Sequence, residues 1–220
     1  EQPVVMEPAP AQQATATSAT EVLSMQAAQE EAKALGETYS KGLAAMTAGQ
    51  YDEAETLFKE VVAENPAVAP AHHNLGYLYM LKNDAASAEE AFGKAIAADP
   101  GGPDSYVALS TLMTAGGRPQ EAYDLLQGVA LLVPPNANFQ FALGVAASNL
   151  GRDEEALAAF QQAVTLESPN VEAHYYLATL AVGRNEIPMA IEHLELYLAG
   201  APEGAPNGAT AQALLDALKK

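Results

Sequence analysis

Four histidines and an excess of carboxylates are the residues of this sequence best suited to acid–base chemistry or metal binding. His72 and His73 are adjacent, and adjacent residues on a helix point about 100° apart, which is poor geometry for holding one ion. His193 stands near Glu192 and Glu195, a set able to bind a divalent ion weakly. Charged residues on an outward helix face usually form a solvated surface, so the sequence predicts no metal site and no cofactor.

Patterns typical of enzymes are missing from the sequence. It contains no glycine-rich phosphate loop, no His-Glu-x-x-His pattern, and no distinct set of serine, histidine and acid. The sequence contains internal repeats, described below, and His174 and His72 occupy equivalent positions in two of them. A bulky packing residue is expected at this position more often than a ligand. Cysteine is absent, which excludes disulfides and thiolate ligands. We therefore predict that the chain is not an enzyme.

The charge balance excludes two classes of partner. Lys and Arg number 10 against 28 Asp and Glu, which gives a net charge of −18. Nucleic acids and anionic membrane surfaces are bound mainly through lysine and arginine, so neither is expected here. Membrane insertion is not expected either, because no run approaches the ~18 apolar residues of a spanning helix. The acidic excess is typical of a solubilising surface.

The elements that position the side chains follow an internal period of 34 residues. An alanine recurs at this spacing, at Ala54, Ala88, Ala122, Ala156 and Ala190. A large apolar residue follows four places later, at Phe58, Phe92, Leu126, Phe160 and Leu194. A turn residue that tolerates a left-handed backbone recurs at Gly49, Asn83, Gly117, Gly151 and Asn185. Prolines that cannot continue a helix close the units at Pro66, Pro100, Pro134, Pro169 and Pro202.

Small residues share the same period, at Gly42, Gly76, Ser110, Gly144 and Ala178. Together with the alanines, they predict pairs of antiparallel helices that approach to about 8 to 10 Å. One helix pair cannot bury its own apolar stripe, so neighbouring pairs are expected to stack along a continuous core.

This pattern resembles the tetratricopeptide-repeat (TPR) family, which places a small residue, a large one, an alanine and a closing proline at these offsets. The resemblance covers five repeats of 34 residues, or 170 of 220 positions. It implies an all-α fold, a right-handed α-α superhelix (TPR solenoid), that binds proteins or peptides. The repeats are 35–68, 69–102, 103–136, 137–170 and 171–204.

The N-terminal segment 1–17 is rich in proline, alanine and threonine, a composition typical of an extended or disordered chain. Its apolar residues Val4, Val5 and Met6 are candidate anchors to a binding surface. The chain begins at Glu1 and runs into this segment without an initiator methionine, which favours an exported protein, periplasmic or extracellular, over a cytoplasmic one. Candidate O-glycan sites are Thr15, Thr17, Ser18 and Thr20.

Two further helices are predicted outside the repeats. Ser18 and Glu21 have the spacing of a capping box, which predicts a leading helix over 18–34 that shields the first repeat around Lys41. Residues 205–220 predict an amphipathic capping helix, similar to the extra helix that closes many TPR proteins.

In the TPR family, the first helix of each repeat lines a concave, peptide-binding groove. The resemblance assigns to this groove Tyr39, Leu43, His73, Tyr77, Met80, Val107, Thr111, Phe141, Val145, Tyr175 and Thr179. None is lysine or arginine, so the carboxylate clamp of chaperone adaptors is not implied. The groove is expected to prefer an apolar, extended segment, although any one of these residues can instead pack between helices.

Two functions remain open at this point. The first is an exported scaffold that self-assembles into an oligomer or filament through its repeat ends and its N-terminal segment. The second is a monomeric periplasmic or cytoplasmic adaptor that binds an apolar, extended peptide of a larger assembly.

Overall fold

The computed structural model describes residues 14–166 and 170–220, with side chains from residue 21 onward. Over these residues the chain forms eleven α-helices and no strand, which confirms the all-α fold class. None of these helices combines the length and the apolar character needed to cross a membrane. The predicted anchors Val4, Val5 and Met6 lie outside the described residues, as does the closing residue Pro169.

The chain divides into two compact units, Glu1–Pro66 and Ala67–Lys220. The first unit contains α1 (Ala14–Thr47) and α2 (Tyr51–Glu64), which pack against each other. In its core, Tyr39 of α1 lies 5.6 Å from Phe58 of α2, measured between ring centroids.

Helix α1 corrects two predictions. It begins at Ala14 rather than at Ser18, because alanines before Ser18 favour a helix, and residues 14–17 are therefore helical rather than part of an extended segment. It then continues to Thr47 without a break, since no proline or left-handed residue interrupts it. The leading part is collinear with the first repeat helix and does not fold back to shield Lys41. Residues 21–34 are all exposed.

In its described residues, 67–166 and 170–220, the second unit contains nine helices in consecutive contact. Their bounds are α3 (Ala69–Leu81), α4 (Ala85–Ala98), α5 (Pro103–Ala115), α6 (Pro119–Val129), α7 (Ala137–Asn149), α8 (Asp153–Thr165), α9 (Glu172–Gly183), α10 (Ile187–Gly200) and α11 (Gly208–Leu218). Each helix packs on the next, and α5 also contacts α7, so the first helices of these two successive repeats lie side by side. This is the packing of a repeat solenoid.

The turns inside the repeats have the left-handed backbone that the sequence predicts. The residues with positive φ at these turns are Gly49, Asn83, Gly117, Gly151 and Asn185. Glycine and asparagine adopt this conformation more readily than other residues do, so each can end one helix and begin the return of the chain.

The recurring alanines and the large residues four places after them form the core. All ten of these side chains are fully buried: Ala54, Phe58, Ala88, Phe92, Ala122, Leu126, Ala156, Phe160, Ala190 and Leu194. At the end of the chain, α11 places Ala211 and Leu215 against a cluster that contains Ala178, Leu194 and Tyr197. Helix α11 therefore covers the apolar face of the last helix pair.

Helix α6 ends earlier than its register predicts. Helices α2, α4 and α10 end two residues before their prolines, but α6 ends at Val129, five residues before Pro134. Gly128 weakens its last turn, residues 130–132 form a hydrogen-bonded turn, and the pair Pro134-Pro135 cannot continue a helix. The loop that results exposes Leu131 and Leu132, whose side chains are 99% and 68% accessible.

Candidate functional site

A cavity of about 480 Å³ lies between α5, α7 and α9. Helix α5 contributes Val107, Ser110, Thr111, Thr114 and Ala115; α7 contributes Asn138, Phe141, Ala142 and Val145; α9 contributes Tyr176. Because α5 and α7 are in direct contact, equivalent positions of successive repeats come together in one surface. The first helices of three repeats thus build a shared site.

The side chains that line this cavity are uncharged, and three of their polar atoms take part in hydrogen bonds. Ser110 Oγ and Thr111 Oγ1 both donate to the carbonyl oxygen of Val107, at 2.9 and 2.8 Å. Asn138 Oδ1 accepts a hydrogen bond from Asn170 Nδ2 at 2.9 Å. Burial raises the pKa of the Tyr176 hydroxyl, with a smaller contribution from Glu172, so this side chain stays neutral at physiological pH. The cavity is neutral and largely apolar.

Three aromatic rings form one wall of the cavity and the core beneath it. Phe141 meets Tyr176 edge to face, with ring centroids 5.4 Å apart, and Tyr176 stacks on the buried Phe160 at 5.0 Å. Phe160 comes this close because α7 carries Gly144 opposite it: a Cβ atom on Gly144 would lie 2.6 Å from Phe160 Cε1. The missing side chain of Gly144 therefore helps to set the position of the aromatic wall.

Four residues of the predicted groove line this cavity: Val107, Thr111, Phe141 and Val145. The two predicted on α9 have other contacts. Tyr175 packs on Tyr197, with ring centroids 5.6 Å apart, and Thr179 Oγ1 donates to the carbonyl oxygen of Tyr176 at 2.8 Å. It is the neighbouring Tyr176 that reaches the cavity.

Sequence reasoning missed Tyr176 because the repeat register assigned the groove to the preceding position. The available signal was the size of the residue: the equivalent position holds Asn74, Ala108 and Ala142 in the other repeats of this unit. A tyrosine among small residues at one register position indicates a side chain that reaches beyond its own repeat.

Helix α3 carries the predicted groove residues His73, Tyr77 and Met80. His73 packs against Tyr77 and Phe92, with ring centroids 5.2 and 5.5 Å apart, and its Nδ1 lies 2.9 Å from Ser105 Oγ. Desolvation lowers the pKa of His73, although the charge of Asp104 opposes this shift. Met80 packs against the core that contains Phe92. Of the three, Tyr77 is the exposed one.

In the first unit, the two predicted groove residues differ in burial. Tyr39 packs on Phe58 and is partly buried, whereas Leu43 is exposed. The candidate O-glycan residues Thr15, Thr17, Ser18 and Thr20 fall within α1, and their side chains lie outside the described part.

Comparison with known families matches the chain to models of the tetratricopeptide repeat. One model matches residues 39–103 and 141–205, and a second matches residues 82–145. These matches confirm the resemblance drawn from the 34-residue period. A comparison with curated protein sequences finds no significant match.

Three solved structures show the same fold. TTC0263, a thermophilic TPR protein of Thermus thermophilus, is 22% identical with a TM-score of 0.63, covering 84% of this chain and 98% of its own. PilF of Pseudomonas aeruginosa is 19% identical with a TM-score of 0.70, covering 84% and 92%. YrrB, a TPR protein with an unusual peptide-binding site, is 19% identical with a TM-score of 0.60, covering 87% and 97%.

Proposed function

The chain belongs to the tetratricopeptide-repeat family, and we propose that it is a scaffold whose α5–α7–α9 cavity holds an extended, uncharged peptide segment of another protein. The family is in general a non-catalytic, protein-binding fold. The observation that carries the proposal is the neutral, largely apolar lining of this cavity, built from three successive repeats.

The lining determines which peptides suit the site. A charged side chain entering this cavity would lose its hydration without meeting a charged partner among the lining residues, which is unfavourable. An aliphatic or aromatic side chain would instead bury apolar surface against Val107, Phe141 and Val145. The site therefore favours peptides whose central residues are apolar.

The size of the cavity also suits a peptide anchor. Its volume of about 480 Å³ lies within the range of roughly 300 to 1,000 Å³ that is typical of ligand pockets. Neighbouring peptide residues would extend along α5 and α7. The exposed Thr111 and the partly buried Thr114, both of α5, border the cavity. The peptide-binding site of the similar protein YrrB gives this reading a precedent within the fold.

A peptide library tests the proposal directly. The purified chain is screened against random twelve-residue peptides, and selected sequences are measured by fluorescence polarisation. We expect selection of apolar, uncharged cores, and unchanged affinity when the peptide's C-terminal carboxylate is amidated. Selection of acidic C-termini whose binding needs the free carboxylate would contradict the proposal.

A matched pair of variants places the binding site. Thr111→Arg puts a charge at the exposed edge of the cavity and is expected to weaken binding at least about tenfold, since a bound peptide would cover this charge without supplying a partner for it. Thr56→Arg makes the same change on an exposed position of α2 and should leave affinity unchanged. Equal affinities of the two variants would move the peptide site away from α5–α7–α9.

Self-association is a second candidate function, and the leading part of α1 favours it. Val22, Leu23 and Met25 are 52%, 67% and 65% accessible, which leaves apolar side chains in water. We propose that a second copy of the chain covers this part of α1. Stacking through the C-terminal repeat end is less favoured, because α11 already covers that face. The net charge of −18 opposes association, but physiological salt screens charges beyond about 8 Å.

Light scattering at several protein concentrations and salt strengths tests self-association. The measured mass is expected to rise with protein concentration and with salt concentration. The double variant Leu23→Glu, Met25→Glu should return the chain to a monomer. Gln26→Glu is the matched control, since it adds an acidic charge to the same exposed stretch without removing an apolar side chain. A concentration-independent monomer in the unaltered chain would leave the peptide-binding adaptor as the function.

Export to the periplasm or the cell exterior is also proposed, on the composition of residues 1–17, which is rich in proline, alanine and threonine. Fractionation of cells that express the native gene tests this location. Recovery of the protein with a cytoplasmic marker enzyme would reject it.

A further inference from the structure

The last repeat brings two histidines of different helices together. His174 lies near the start of α9 and His193 lies in the middle of α10, and their Nδ1 atoms are 3.0 Å apart. The ring centroids are 5.2 Å apart, and both side chains are partly buried. Sequence reasoning treated each histidine separately, because nineteen residues separate them along the chain.

We propose that His174 and His193 bind one divalent transition-metal ion through their Nδ1 atoms. Bonds from such an ion to histidine nitrogen are about 2.0 to 2.1 Å long, so two bonds at a right angle place their nitrogens about 3.0 Å apart. The two Nδ1 atoms already have this separation. The helices can therefore stay where they are, and only the imidazole rings need to turn towards the ion.

Imidazole coordination indicates which ions suit the site. Two imidazole nitrogens about 3.0 Å apart are compatible with octahedral or square-planar coordination, which Ni²⁺ and Cu²⁺ adopt. Imidazole is also a preferred ligand of both ions, and Cu²⁺ binds most tightly in the general order of affinity. Ni²⁺ and Cu²⁺ are thus the probes of choice.

The protonation state of the pair is favourable for binding. Desolvation lowers the pKa of both histidines, and the neighbouring imidazole of His193 lowers that of His174 further, while Glu192 opposes both shifts. Neutral imidazole is the form that binds metal. In the metal-free pair one Nδ1 donates its hydrogen to the other. On binding, this hydrogen moves to the outer Nε2 of the same ring, so both Nδ1 lone pairs face the ion and no net proton is released.

The surroundings leave an open, two-histidine site. Glu195, a candidate ligand from the sequence, has its Oε1 atom 2.6 Å from Lys219 Nζ of α11 and is engaged there. Across 14–166 and 170–220, His, Asp and Glu form no cluster of three or more that is suited to a metal. Water would fill the remaining coordination positions, so the affinity should be modest.

Calorimetric titration with Ni²⁺ tests the site on the full chain without a histidine tag, which would itself bind the ion. Physiological salt and millimolar Mg²⁺ are included, because the net charge of −18 attracts divalent cations and carboxylate oxygens are suited to Mg²⁺. One Ni²⁺ per chain is expected. His174→Gln and His193→Gln should each weaken binding at least about tenfold, the loss that even outer-shell changes produce.

His72→Gln is the matched control, since it removes a histidine at the same register position of another repeat and should leave Ni²⁺ binding unchanged. Circular dichroism of each variant shows that it is folded. Electron paramagnetic resonance of the Cu²⁺-loaded chain should show coupling to two nitrogens. In His174→Gln and in His193→Gln it should show coupling to one. Binding that survives in His193→Gln, or that Mg²⁺ displaces, would overturn the proposal.

Acidification supplies an independent readout. Protons compete with the metal for neutral imidazole, so binding should weaken as the pH falls through the pKa values of the pair. Because these values are lowered, the loss should occur at a lower pH than for an ordinary histidine pair. Ni²⁺ affinity that does not change through this pH range would contradict ligation by histidine.

Discussion

Helix pairs α5–α6 and α7–α8 are neighbours in the second unit and share one register, but different side chains fill the space between their helices. Helix α7 carries Gly144, and Phe160 of α8 lies so close that a Cβ on Gly144 would be 2.6 Å from its ring. At the equivalent positions, α5 and α6 carry Ser110 and Leu126, both buried.

The other repeats follow the same rule of complementary size. Glycine faces phenylalanine in two more pairs, Gly42 with Phe58 and Gly76 with Phe92, while Ala178 packs in one cluster with Leu194. A glycine at this position of the first helix has no Cβ atom and therefore leaves room for a phenylalanine ring of the second helix. The presence of phenylalanine rather than leucine shapes the cavity, because the ring of Phe160 reaches Tyr176 and supports the cavity wall.

The largest expected effect on the free energy of unfolding comes from truncating the two large side chains, Phe160 and Leu126. Phe160→Ala should lower the free energy of unfolding by about 3 to 5 kcal/mol and Leu126→Ala by about 2 to 5 kcal/mol, since each leaves a cavity in the core. Phe160→Ala should also weaken peptide binding more than Leu126→Ala does, because Tyr176 and Phe141 lose the ring they pack on. Leu126, in contrast, shares a cluster with only Val107 and Ala142 of the lining residues. Urea unfolding followed by circular dichroism gives the first quantity, and peptide titration in the absence of urea gives the second. Equal loss of affinity in both variants would break the distinction between the two repeats.

The next largest effect on stability is expected when Gly144 and Phe160 of the α7–α8 pair are replaced by the residue types that the α5–α6 pair carries at the same positions. Gly144→Ser should destabilise the chain by about 1 to 3 kcal/mol, because its Cβ collides with Phe160. Adding Phe160→Leu recreates the Ser110–Leu126 combination and should recover part of that loss, with a coupling of about 0.5 to 3 kcal/mol in a double-mutant cycle.

Gly93→Ser is the control for this exchange. Gly93 also lies inside a helix, but a Cβ there would meet nothing within 4 Å, so serine should be neutral or slightly stabilising. Additive effects of Gly144→Ser and Phe160→Leu would show that the two positions do not share one space.

The smallest expected effect concerns the arginines that precede the second helices. Arg118 Nη2 lies 2.6 Å from Glu89 Oε2 of the preceding repeat, whereas Arg152 stacks over the ring of Tyr123 at 4.4 Å. The hydrogen bond from Arg118 lowers the pKa of Glu89. Glu89 therefore stabilises the chain above the ordinary carboxyl pKa, and this contribution is lost as the pH falls through the lowered value.

Thermal unfolding of Glu89→Gln between pH 3 and pH 7 measures this contribution. The variant should be less stable than the unaltered chain at pH 7, by less than either effect above. The difference should shrink at acidic pH, where Glu89 is protonated, and in 1 M salt, which screens this partly exposed pair. A difference that grows as the pH falls would have the wrong sign for a salt bridge.

Most of the fold could be read from the sequence, and the site only in part. The five turn residues have positive φ, and the recurring alanines and large residues are buried, as their spacing predicts. The start and direction of α1 were predicted wrongly, because a capping box at Ser18 outweighed the helix-favouring alanines before it. Of the residues that the register assigned to the groove, Val107, Thr111, Phe141 and Val145 line the cavity, but on α9 it is Tyr176 rather than the predicted Tyr175 that reaches it.

The sequence by itself determined the period, the turns and the inward face of the repeats, because each depends on residues close together in the chain or one repeat apart. The tertiary structure decided which side chains of different helices meet. The approach of His193 to His174, the ring of Phe160 beneath Tyr176, and the cavity shared by three repeats depend on how helices cross and how far each side chain reaches. Spacing along the chain places residues on a face of a helix, but the packing of one helix on another sets the distances between them.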